Sequence, residues 1–421
     1  MAFLKNLRKG RIAGWLALTF LLPALPGMVS AETAKEYFKG KTITYIVATT
    51  PGGNYDTYAR LISKYMKKYL PVSKIIVRNM PGAGHIIGAN HIYSSRPNGL
   101  TIGTFNTGLI YAQLLKREGI RFDLRKMTFI GKAAADPRVV MVGVKTGVNS
   151  FADLQNSGKR IKFSASGVGS ASYNESKMLV RLFNLPVDII PGYSGRSGEM
   201  GILRGELHGE LGSLSTYHSF LKSGYGRVIL ILASTHPRGY EKVPLATDVS
   251  DSADVKSIMA LIASQSELAR FTAGPPGLPE DRKALLIKAY RSALTDPGLL
   301  AHAKKIGKPI MPAYGDAVAK RVSMALNQSP QTLAIIKRIM SQKAPTKTVT
   351  AALSKVGKKG KKVVFKGADG KKVKAKISGS RTKITINGKK VKRKKLEAGL
   401  MCKIVYKPGG KNEPVTMDCV K

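Results

Sequence analysis

The chain between residues 42 and 70 changes from the pattern of a buried strand to that of an amphipathic helix. Thr42 to Ala48 is short, β-branched and aromatic, which is typical of a strand inside a sheet. A turn at Pro51-Gly52-Gly53 follows, and Asn54 or Asp56 can cap the helix after it. Apolar residues then recur along one helical face: Tyr58, Leu61, Ile62, Tyr65 and Tyr69. Because the N–H groups of a first helical turn are unpaired and partly positive, this junction predicts a small anion site made of backbone.

The same succession of strand, glycine turn and helix returns twice in the next part of the chain. Ile75 to Val77 leads into Pro81 to Gly84, and Leu100 to Phe105 leads into Asn106 to Gly108. Three such units predict a parallel sheet whose three loops meet at one edge. Ligands of open α/β sheets bind at that edge, so these loops are candidate binding elements.

A run rich in serine and glycine, Ser164 to Ser172, lies between a predicted strand and a predicted helix. A similar unit follows, with a strand at Val187 to Ile190 and a turn at Pro191 to Gly195. The run has neither the GxSxG pattern of a hydrolase nor the Gly-Lys-Ser/Thr ending of a phosphate-binding P-loop. We interpret it as a second cradle for an anion, and the alternative is a serine-rich turn without a ligand.

The order of these units predicts an α/β fold with two lobes and a hinge. We assign residues 32–137 and 229–343 to lobe 1 and residues 138–228 to lobe 2. The apolar run from Arg227 to Ala233 is the expected return to the first lobe. A cleft between two lobes is the default place for a ligand.

The last part of the chain has a different pattern. Residues 344–360 are rich in Lys, Thr and Gly and are expected to form a linker. Residues 361–421 alternate between apolar and polar positions, with hairpin signals at Gly367 to Gly370 and at Asn387-Gly388. This pattern predicts a small antiparallel β module.

The N-terminal segment and the cysteines both indicate a protein made for export. Met1 to Ala31 has a basic start, an apolar stretch and a small-residue cleavage site, which predict a signal peptide; an uncleaved membrane anchor is the alternative. The two cysteines, Cys402 and Cys419, are expected to form one disulfide in an oxidising compartment. Without a matching pair of histidines they make a poor zinc site.

The formal net charge of +45 is unevenly distributed. The segment from Lys355 to Lys421 holds 22 Lys and Arg against 4 acids. Such a field attracts anions but does not specify nucleic acid, and the segment lacks the aromatic spacing of an RNA-binding sheet. A lysine-covered face of the module can bind anionic lipid, peptidoglycan or another polyanion, and a solvated basic face is the alternative.

The chain shows little that favours catalysis. Paired carboxylates are not evident around the glycine loops, and the six histidines do not have a metal-binding spacing such as HExxH. His85 lies inside a glycine motif, where it contacts a ligand; a surface or capping histidine is the alternative. We therefore expect a binding protein without cofactor or metal rather than an enzyme.

Several of these motifs resemble those of one family. The residues Pro51-Gly52-Gly53, Asp56, Ala59 and Arg60 look like the PGGxxDxxAR signature of tripartite tricarboxylate transporter receptors, also called Bug-type solute-binding proteins. Asn79 to Gly88 is similar to the second glycine motif of this family, and Arg96 to Ile102 is similar to its PDGYTL turn. The resemblance extends from Lys41 to Ser341. Departures include Asn98 and Leu100 in the turn and Thr49-Thr50 in the first loop.

The resemblance implies a periplasmic, two-lobed fold of the type II-like binding-protein kind, which closes on a small organic anion, commonly a carboxylate. It implies partnership with the membrane permease subunits of a tripartite transporter, and we expect a monomer. Recognition would rely on backbone amides, hydroxyl groups and bridging waters more than on an arginine clamp. The rival hypothesis is an adhesion or scaffold protein that uses the basic module to bind a polyanion.

The candidate ligand contacts combine both arguments. The first lobe is expected to supply Thr50, Gly53, Asn54, Tyr55 and Asn106, and the second lobe Ser166, Gly167, Ser170, Tyr193 and Gly195. Asp56 is expected to orient its loop, because its charge would repel an anion. Arg196 is the nearby cation whose role needs testing, and a solvated position at a helix start is the alternative.

Overall fold

The computed structural model describes residues 32–341, 346–368, 370–406 and 412–420. The export signal expected over residues 1–31 lies outside this range. The first part of the described chain alternates helices and strands: α1 (Ala34–Phe38), β1 (Thr42–Val47), α2 (Asn54–Met66), β2 (Lys74–Asn79), α3 (Ile86–Tyr93), β3 (Thr101–Thr104), α4 (Gly108–Leu114) and β4 (Thr128–Lys132).

The middle of the chain supplies a second set of elements: β5 (Arg138–Gly143), α5 (Phe151–Gln155), β6 (Ile161–Ala165), α6 (Ala171–Leu182), β7 (Val187–Pro191), α7 (Ser197–Leu203), β8 (Gly209–Ser213), α8 (His218–Lys222) and β9 (Gly226–Leu232). A mostly helical segment follows: α9 (Ala253–Ser266), β10 (Phe271–Gly274), α10 (Glu280–Thr295), α11 (Pro297–Lys305), β11 (Ala313–Tyr314), α12 (Asp316–Leu326) and α13 (Pro330–Ser341).

Two sheets form the cores of two lobes, as predicted for this fold class. The first has six strands in the order β11-β4-β10-β3-β1-β2, and the second has five in the order β7-β6-β8-β5-β9. Strand β1 lies between β2 and β3 and runs parallel to both. The three glycine loops that follow these strands therefore meet at one edge of the first sheet. Strands β10 and β11 pair antiparallel with their neighbours.

Helix α2 packs its apolar face into the core of the first lobe. Tyr58 and Ile62 are buried there beside Tyr45 of β1 and Tyr290 of α10. Full burial of a large apolar side chain stabilises a fold by about 1.5–3 kcal/mol, so this face fixes the helix on the sheet. Tyr69, expected on the same face, lies in a 3-10 turn beyond the end of the helix and is 41% exposed.

The start of α2 differs from the expectation. The N-cap residue is Gly53, and no side chain makes a capping hydrogen bond. Asn54 is the first helical residue, and Asp56 accepts a hydrogen bond from the Gly52 N–H at 2.9 Å instead of capping the helix. The free N–H groups of the first turn are therefore not covered by a cap.

The path between the lobes also differs from the expectation. Strand β9 pairs with β5 along its length, so the return expected at residue 229 falls inside a strand of the second sheet. Helices α9 and α13 pack in the core of the second lobe, while β10 and α12 belong to the first lobe. The described chain thus crosses between lobes at residues 133–137, 267–270 and 327–329. A buried apolar strand carries no signal for which sheet it joins, which explains the difference.

The C-terminal part is a separate β module: β12 (Lys347–Ala352), β13 (Lys355–Gly357), β14 (Lys362–Lys366), β15 (Lys372–Lys376), β16 (Lys383–Ile386), β17 (Lys389–Lys390), β18 (Met401–Tyr406) and β19 (Pro414–Val420). One sheet has the order β12-β18-β19-β16-β17 and the other has the order β13-β14-β15. Strands β12 and β13 fall in the stretch expected to be a linker, so the module starts earlier than predicted. All pairs are antiparallel except β16 with β19.

The disulfide and one hairpin of the module form as predicted. Cys402 and Cys419 lie directly opposite each other on β18 and β19 and are bonded. Asn387 and Gly388 join β16 to β17, and both have positive φ values, 49° and 76°. That conformation is a type I′ turn, which is the reason for an Asn-Gly pair in a two-residue hairpin.

A cavity between the lobes as the candidate functional site

A cavity of about 570 Å³ lies between the two lobes. Residues 49–50, 53–55, 81–85 and 106 of the first lobe line one side, which brings the three predicted loops together. Residues of the second lobe line the other side, mainly after β6 and along β8. Sites for small molecules commonly enclose about 300–1,000 Å³, so this cavity has the size of a metabolite site.

The positive ends of two helices border the cavity from opposite lobes. Gly53, Asn54 and Tyr55 at the start of α2 line the first-lobe side. Ala171 and Ser172 at the start of α6 line the second-lobe side. The uncapped start of α2 offers unpaired N–H groups and partial positive charge to an anion. The start of α6 adds partial positive charge from the other side, although its Ala171 and Tyr173 N–H groups already donate to Asn106 and Ser170.

A hydrogen-bond network holds the first of these junctions in place. Asp56 is 5% exposed and accepts from the Gly52 N–H, from the Asn79 amide at 3.0 Å and from the Arg60 guanidinium at 3.0 Å. Burial raises the pKa of Asp56, but the hydrogen bonds from Arg60, Gly52 and Asn79 outweigh it and hold that pKa below its usual value. The carboxylate therefore stays ionised and orients the loop through these hydrogen bonds, as expected.

The serine and glycine loop after β6 forms the opposite wall. The Ser166 N–H donates to the Ser172 hydroxyl at 3.1 Å, and Ser166, Gly167 and Ser172 all line the cavity. A side chain at Gly167 would meet nothing within 4 Å, so this backbone borders open space. The loop can offer hydroxyl and amide groups to a ligand.

Asn54 bridges the two sides of the cavity. Its amide nitrogen donates to the Ser215 hydroxyl at 2.8 Å and to the Thr216 hydroxyl at 3.0 Å. The Ser215 hydroxyl in turn donates to the buried Asp136 carboxylate at 2.6 Å. The first-lobe loop is thereby tied to the segment that follows β8.

Asn106 makes a second bridge. Its side-chain oxygen accepts from the Gly108 N–H at 2.8 Å and from the Ala171 N–H of the other lobe at 3.2 Å. A Cβ atom at Gly108 would lie 2.5 Å from the Ala171 nitrogen, so only glycine permits this approach. The structure therefore shows the lobes in contact on both sides of the cavity, which is a closed arrangement.

Two arginines that sequence reasoning missed also line the cavity. Arg138, the first residue of β5, donates from Nε to Glu175 at 2.7 Å and from Nη1 to the Ser213 hydroxyl at 3.1 Å. Arg270 donates to Asp136 at 2.7 Å, and its guanidinium lies 4.5 Å from the centre of the Tyr55 ring. Each positive charge thus has a buried acid beside it, and both arginines are below 10% exposure.

Arg117 extends from the first lobe to the second. It donates to the Val168 carbonyl at 3.2 Å, and it passes so close to Gly169 that a Cβ atom there would overlap it. The φ of Gly169 is +90°, which is a second reason for glycine at this position. Arg117 adds a cation at the edge of the cavity.

A buried carboxyl group is part of the second-lobe wall. Burial raises the pKa of Glu210 to about 8, while the Ser164 hydroxyl opposes that rise and the nearby Glu199 adds to it. Burial also raises the pKa of Glu199. At neutral pH Glu210 is therefore protonated, and it presents a neutral acid rather than a repelling charge to the cavity.

His85 lies on the first-lobe side of the cavity. Its Nδ1 is 2.8 Å from the Ala48 carbonyl, and its buried Nε2 has no hydrogen-bond partner among the described residues. Burial lowers the pKa of His85, so the ring is neutral at pH 7. With Nδ1–H donating to the carbonyl, Nε2 is left as an acceptor for a hydroxyl group.

Most of the predicted contact residues come together around the cavity. Eight of the ten line it: Thr50, Gly53, Asn54, Tyr55, Asn106, Ser166, Gly167 and Gly195. Ser170 does not line it; its hydroxyl accepts from the Tyr173 N–H at 3.3 Å as the N-cap of α6. Tyr193 packs in the apolar cluster around Ile202 and Leu207. Arg196 is also outside the lining.

The arrangement defines a class of protein: two α/β lobes that close around a small-molecule cavity form a solute-binding protein. The family model of the "tripartite tricarboxylate transporter family receptor" matches residues 58–340, and the chain belongs to that family. Receptors of this family are periplasmic solute-binding proteins. Among the described residues, none of the helices is long and apolar enough to span a membrane.

Individual relatives are distant in sequence and close in fold. A UPF0065 protein of Bordetella bronchiseptica is 23% identical over 69% of this chain and 84% of its own. The periplasmic binding protein BugD has a TM-score of 0.60 at 19% identity, covering 72% of this chain and 98% of its own. MatC of Rhodopseudomonas palustris, solved with bound malate, has a TM-score of 0.58 at 20% identity, covering 70% of this chain and 99% of its own. The C-terminal β module lies beyond the matched family region.

Proposed function

We propose that this protein is an extracytoplasmic receptor that captures a small carboxylate between its lobes and presents it to the permease subunits of a tripartite transporter. The observation that carries the proposal is the pair of helix starts, at Asn54 and Ala171, that border one cavity from opposite lobes. A carboxylate between them gains hydrogen bonds from the uncapped start of α2 and a favourable dipole from both helices. The malate bound to MatC supports the same chemical class of ligand.

Binding proceeds in two steps and leaves the ligand unchanged. The carboxylate first docks on the loop from Thr50 to Tyr55, whose shape Asp56 maintains. The second lobe then closes, and its loop at Ser166 and Gly167 completes the enclosure. Exclusion of water strengthens each remaining hydrogen bond.

The closed form is held by the protein itself as well as by the ligand. The Asn54 amide donates a hydrogen bond to the second lobe, and the Asn106 side-chain oxygen accepts one from it. The main role of both residues is therefore closure rather than contact with the ligand. Thr50, Gly53, Tyr55, Ser166, Gly167 and Gly195 remain the proposed contacts. Because a ligand shifts the population only through its preference for one form, the ligand must bind the closed form more tightly.

The family and the expected export signal support delivery to the periplasm. A monomer is sufficient, since one chain supplies both sides of the cavity. Glu210 is the carboxyl group that lines the cavity with a pKa raised by burial, while Glu199 lies outside the lining, so the two do not reach a ligand as a paired acid and base, which favours binding without turnover.

A thermal-shift screen tests the proposal. The panel contains mono- and dicarboxylic acids of four to six carbons, together with the amide of each acid as a neutral control of the same shape. At least one acid should raise the melting temperature with rising concentration, because a ligand specific to the folded state stabilises it. The proposal fails when no acid acts, or when each amide acts as strongly as its acid.

A further inference from the structure

The outer face of the three-stranded sheet of the module is covered with lysine. Strand alternation and register place six lysines on this face: Lys355, Lys362, Lys366, Lys372, Lys374 and Lys376. All six are exposed, whereas Val363, Phe365 and Ala375 on the other face are buried in the core of the module. We call this set the lysine face.

Like charges lie directly opposite each other on this face. Lys362 pairs with Lys376, and Lys366 pairs with Lys372. Directly opposed side chains have Cβ atoms about 4.5–5.5 Å apart, and like charges at that distance destabilise a sheet. An anionic partner bound to this face reduces the repulsion between the paired lysines.

The protein does not supply that partner within the described residues. The described acids of the module, Glu397, Glu413 and Asp418, all lie outside the three-stranded sheet. Glu413 pairs with Arg381 at 2.9 Å, and Asp418 accepts from the Thr385 hydroxyl at 2.8 Å. None of the six lysines makes an ion pair with a described residue.

The other sheet of the module provides an internal contrast. Its outer face carries Lys383, Lys390 and Lys403, but Asp418 lies opposite Lys403 and beside Thr385 on the same face. One acid therefore offsets part of the positive charge of the three lysines there, whereas the lysine face carries no acid among the described residues.

The shape of the lysine face indicates the kind of anion. Its centre is a shallow hollow of about 350 Å³ over Gly357 and Val364, walled by lysine side chains. Phe365 points inward and is fully buried, so the face lacks a ring on which a nucleic-acid base can stack. Lysines with apolar stems and charged tips around an apolar floor suit the interface of a bilayer, where the tips reach phosphate groups.

We propose that the lysine face docks the protein on an anionic phospholipid bilayer. The three strands present six lysines on one face, and the headgroup phosphates neutralise the opposed lysine pairs. This inference is independent of the ligand in the cavity.

Vesicle co-sedimentation of the chain from residue 32 onward tests the inference. The vesicles contain phosphatidylcholine alone or with about a third phosphatidylglycerol, at moderate and high salt. Lys362→Gln/Lys374→Gln/Lys376→Gln is compared with Lys383→Gln/Lys390→Gln/Lys403→Gln, which removes the same charge from the other face. The wild type should sediment only with anionic vesicles and lose binding at high salt. The lysine-face variant should bind about tenfold or more weakly, and the control variant should bind within about twofold of the wild type.

A second measurement uses no variant and so does not depend on folding. Acetylation of the wild type is followed by mass spectrometry with and without anionic vesicles. Vesicles should protect Lys362, Lys374 and Lys376 and leave Lys383 and Lys403 reactive. The inference is overturned by equal binding of the two triple variants, by uniform protection, or by tight binding of single-stranded DNA or polyphosphate without binding to vesicles.

Discussion

The carboxylate of Asp136 and the guanidinium of Arg270 form a buried ion pair, 2.7 Å apart, between two segments that cross from one lobe to the other. Asp136 is 1% exposed and Arg270 is 3% exposed. The two segments also exchange backbone hydrogen bonds, among them Ala134 N–H to the Ala269 carbonyl at 3.2 Å. This ion pair connects the hinge to the cavity. Arg270 lines the cavity, and Asp136 accepts a hydrogen bond from the Ser215 hydroxyl, which itself accepts one from Asn54.

Replacement of Asp136 by Asn should destabilise the protein strongly. The substitution leaves the Arg270 charge buried without its partner, and loss of one member of a buried pair costs about 3–5 kcal/mol. Urea unfolding measures the loss. The control is Glu206→Gln, which breaks an ion pair with Arg204 that is about half exposed and should cost less than about 1 kcal/mol. Equal effects of the two variants would contradict a special role for the hinge pair.

Replacement of Gly108 by Ala should prevent full closure. A Cβ atom there would lie 2.5 Å from the Ala171 nitrogen and 2.7 Å from the Asn106 side-chain oxygen. The lobes must stay further apart, so carboxylate affinity should fall by about tenfold or more while each lobe stays folded. Calorimetric titration with the acid found in the thermal-shift screen measures the change.

Gly158→Ala is the matched control for that variant. Its Cβ atom would meet nothing within 4 Å, so its affinity should equal that of the wild type. If Gly108→Ala binds as tightly as this control, closure through the Asn106 bridge is not needed for binding.

Carboxylate affinity should fall as the pH rises through about 8. Burial raises the pKa of Glu210 to about 8, so its carboxyl group is neutral below that pH and repels an anionic ligand above it. The groups around it are Glu199, Tyr217, Ser164 and Arg138. Lys308, whose pKa burial lowers to about 8, loses its charge in the same range and acts in the same direction.

Glu210→Gln should flatten this pH profile, leaving only the smaller contribution of Lys308. The stability of the fold also depends on the ionisation of Glu210, because its pKa in the folded state lies above the ordinary value of 4.5. The free-energy cost of burying the charge is therefore absent below pH 4.5 and complete above about pH 8. The melting temperature of the wild type should therefore drop more between pH 5 and 9 than that of Glu210→Gln. A wild-type carboxylate affinity that is constant between pH 5 and 9 would contradict the role of Glu210 ionisation in binding.

Loss of the disulfide should weaken the β module alone. Cys402 and Cys419 are separated by 17 positions, and a crosslink that closes a loop of this length stabilises by about 3 kcal/mol. The double change Cys402→Ser/Cys419→Ser should lower the unfolding temperature of the module and leave carboxylate affinity unchanged. Calorimetric unfolding scans with and without a reducing agent measure the first effect. A parallel loss of affinity would show that module and lobes depend on each other.

Local patterns were enough to predict the parts of the site that are local in sequence. The β1–α2 junction could be predicted because Tyr58 and Ile62 repeat with the helical period behind a glycine turn. The Asn-Gly hairpin of the module could be predicted for the same reason, since the turn type depends on two adjacent residues. Each of these features needs only a few neighbouring positions.

Features that depend on distant partners could not be predicted. Arg138 and Arg270 line the cavity because Glu175 and Asp136 hold them from 37 and 134 residues away. The sheet that β9 joins is likewise decided by β5, which lies far earlier in the chain. The turn from Pro191 to Gly195 makes Tyr193 a candidate contact, but Tyr193 packs in the apolar cluster with Ile202 and Leu207 and does not line the cavity.

Native mass spectrometry of the purified protein is the most direct test of capture by the closed cleft. The wild type should retain one small organic acid per chain, either from its source or after incubation with the acid panel, and Gly108→Ala should release it. A wild type that retains none of the acids, or a variant that retains the acid equally well, would contradict the account.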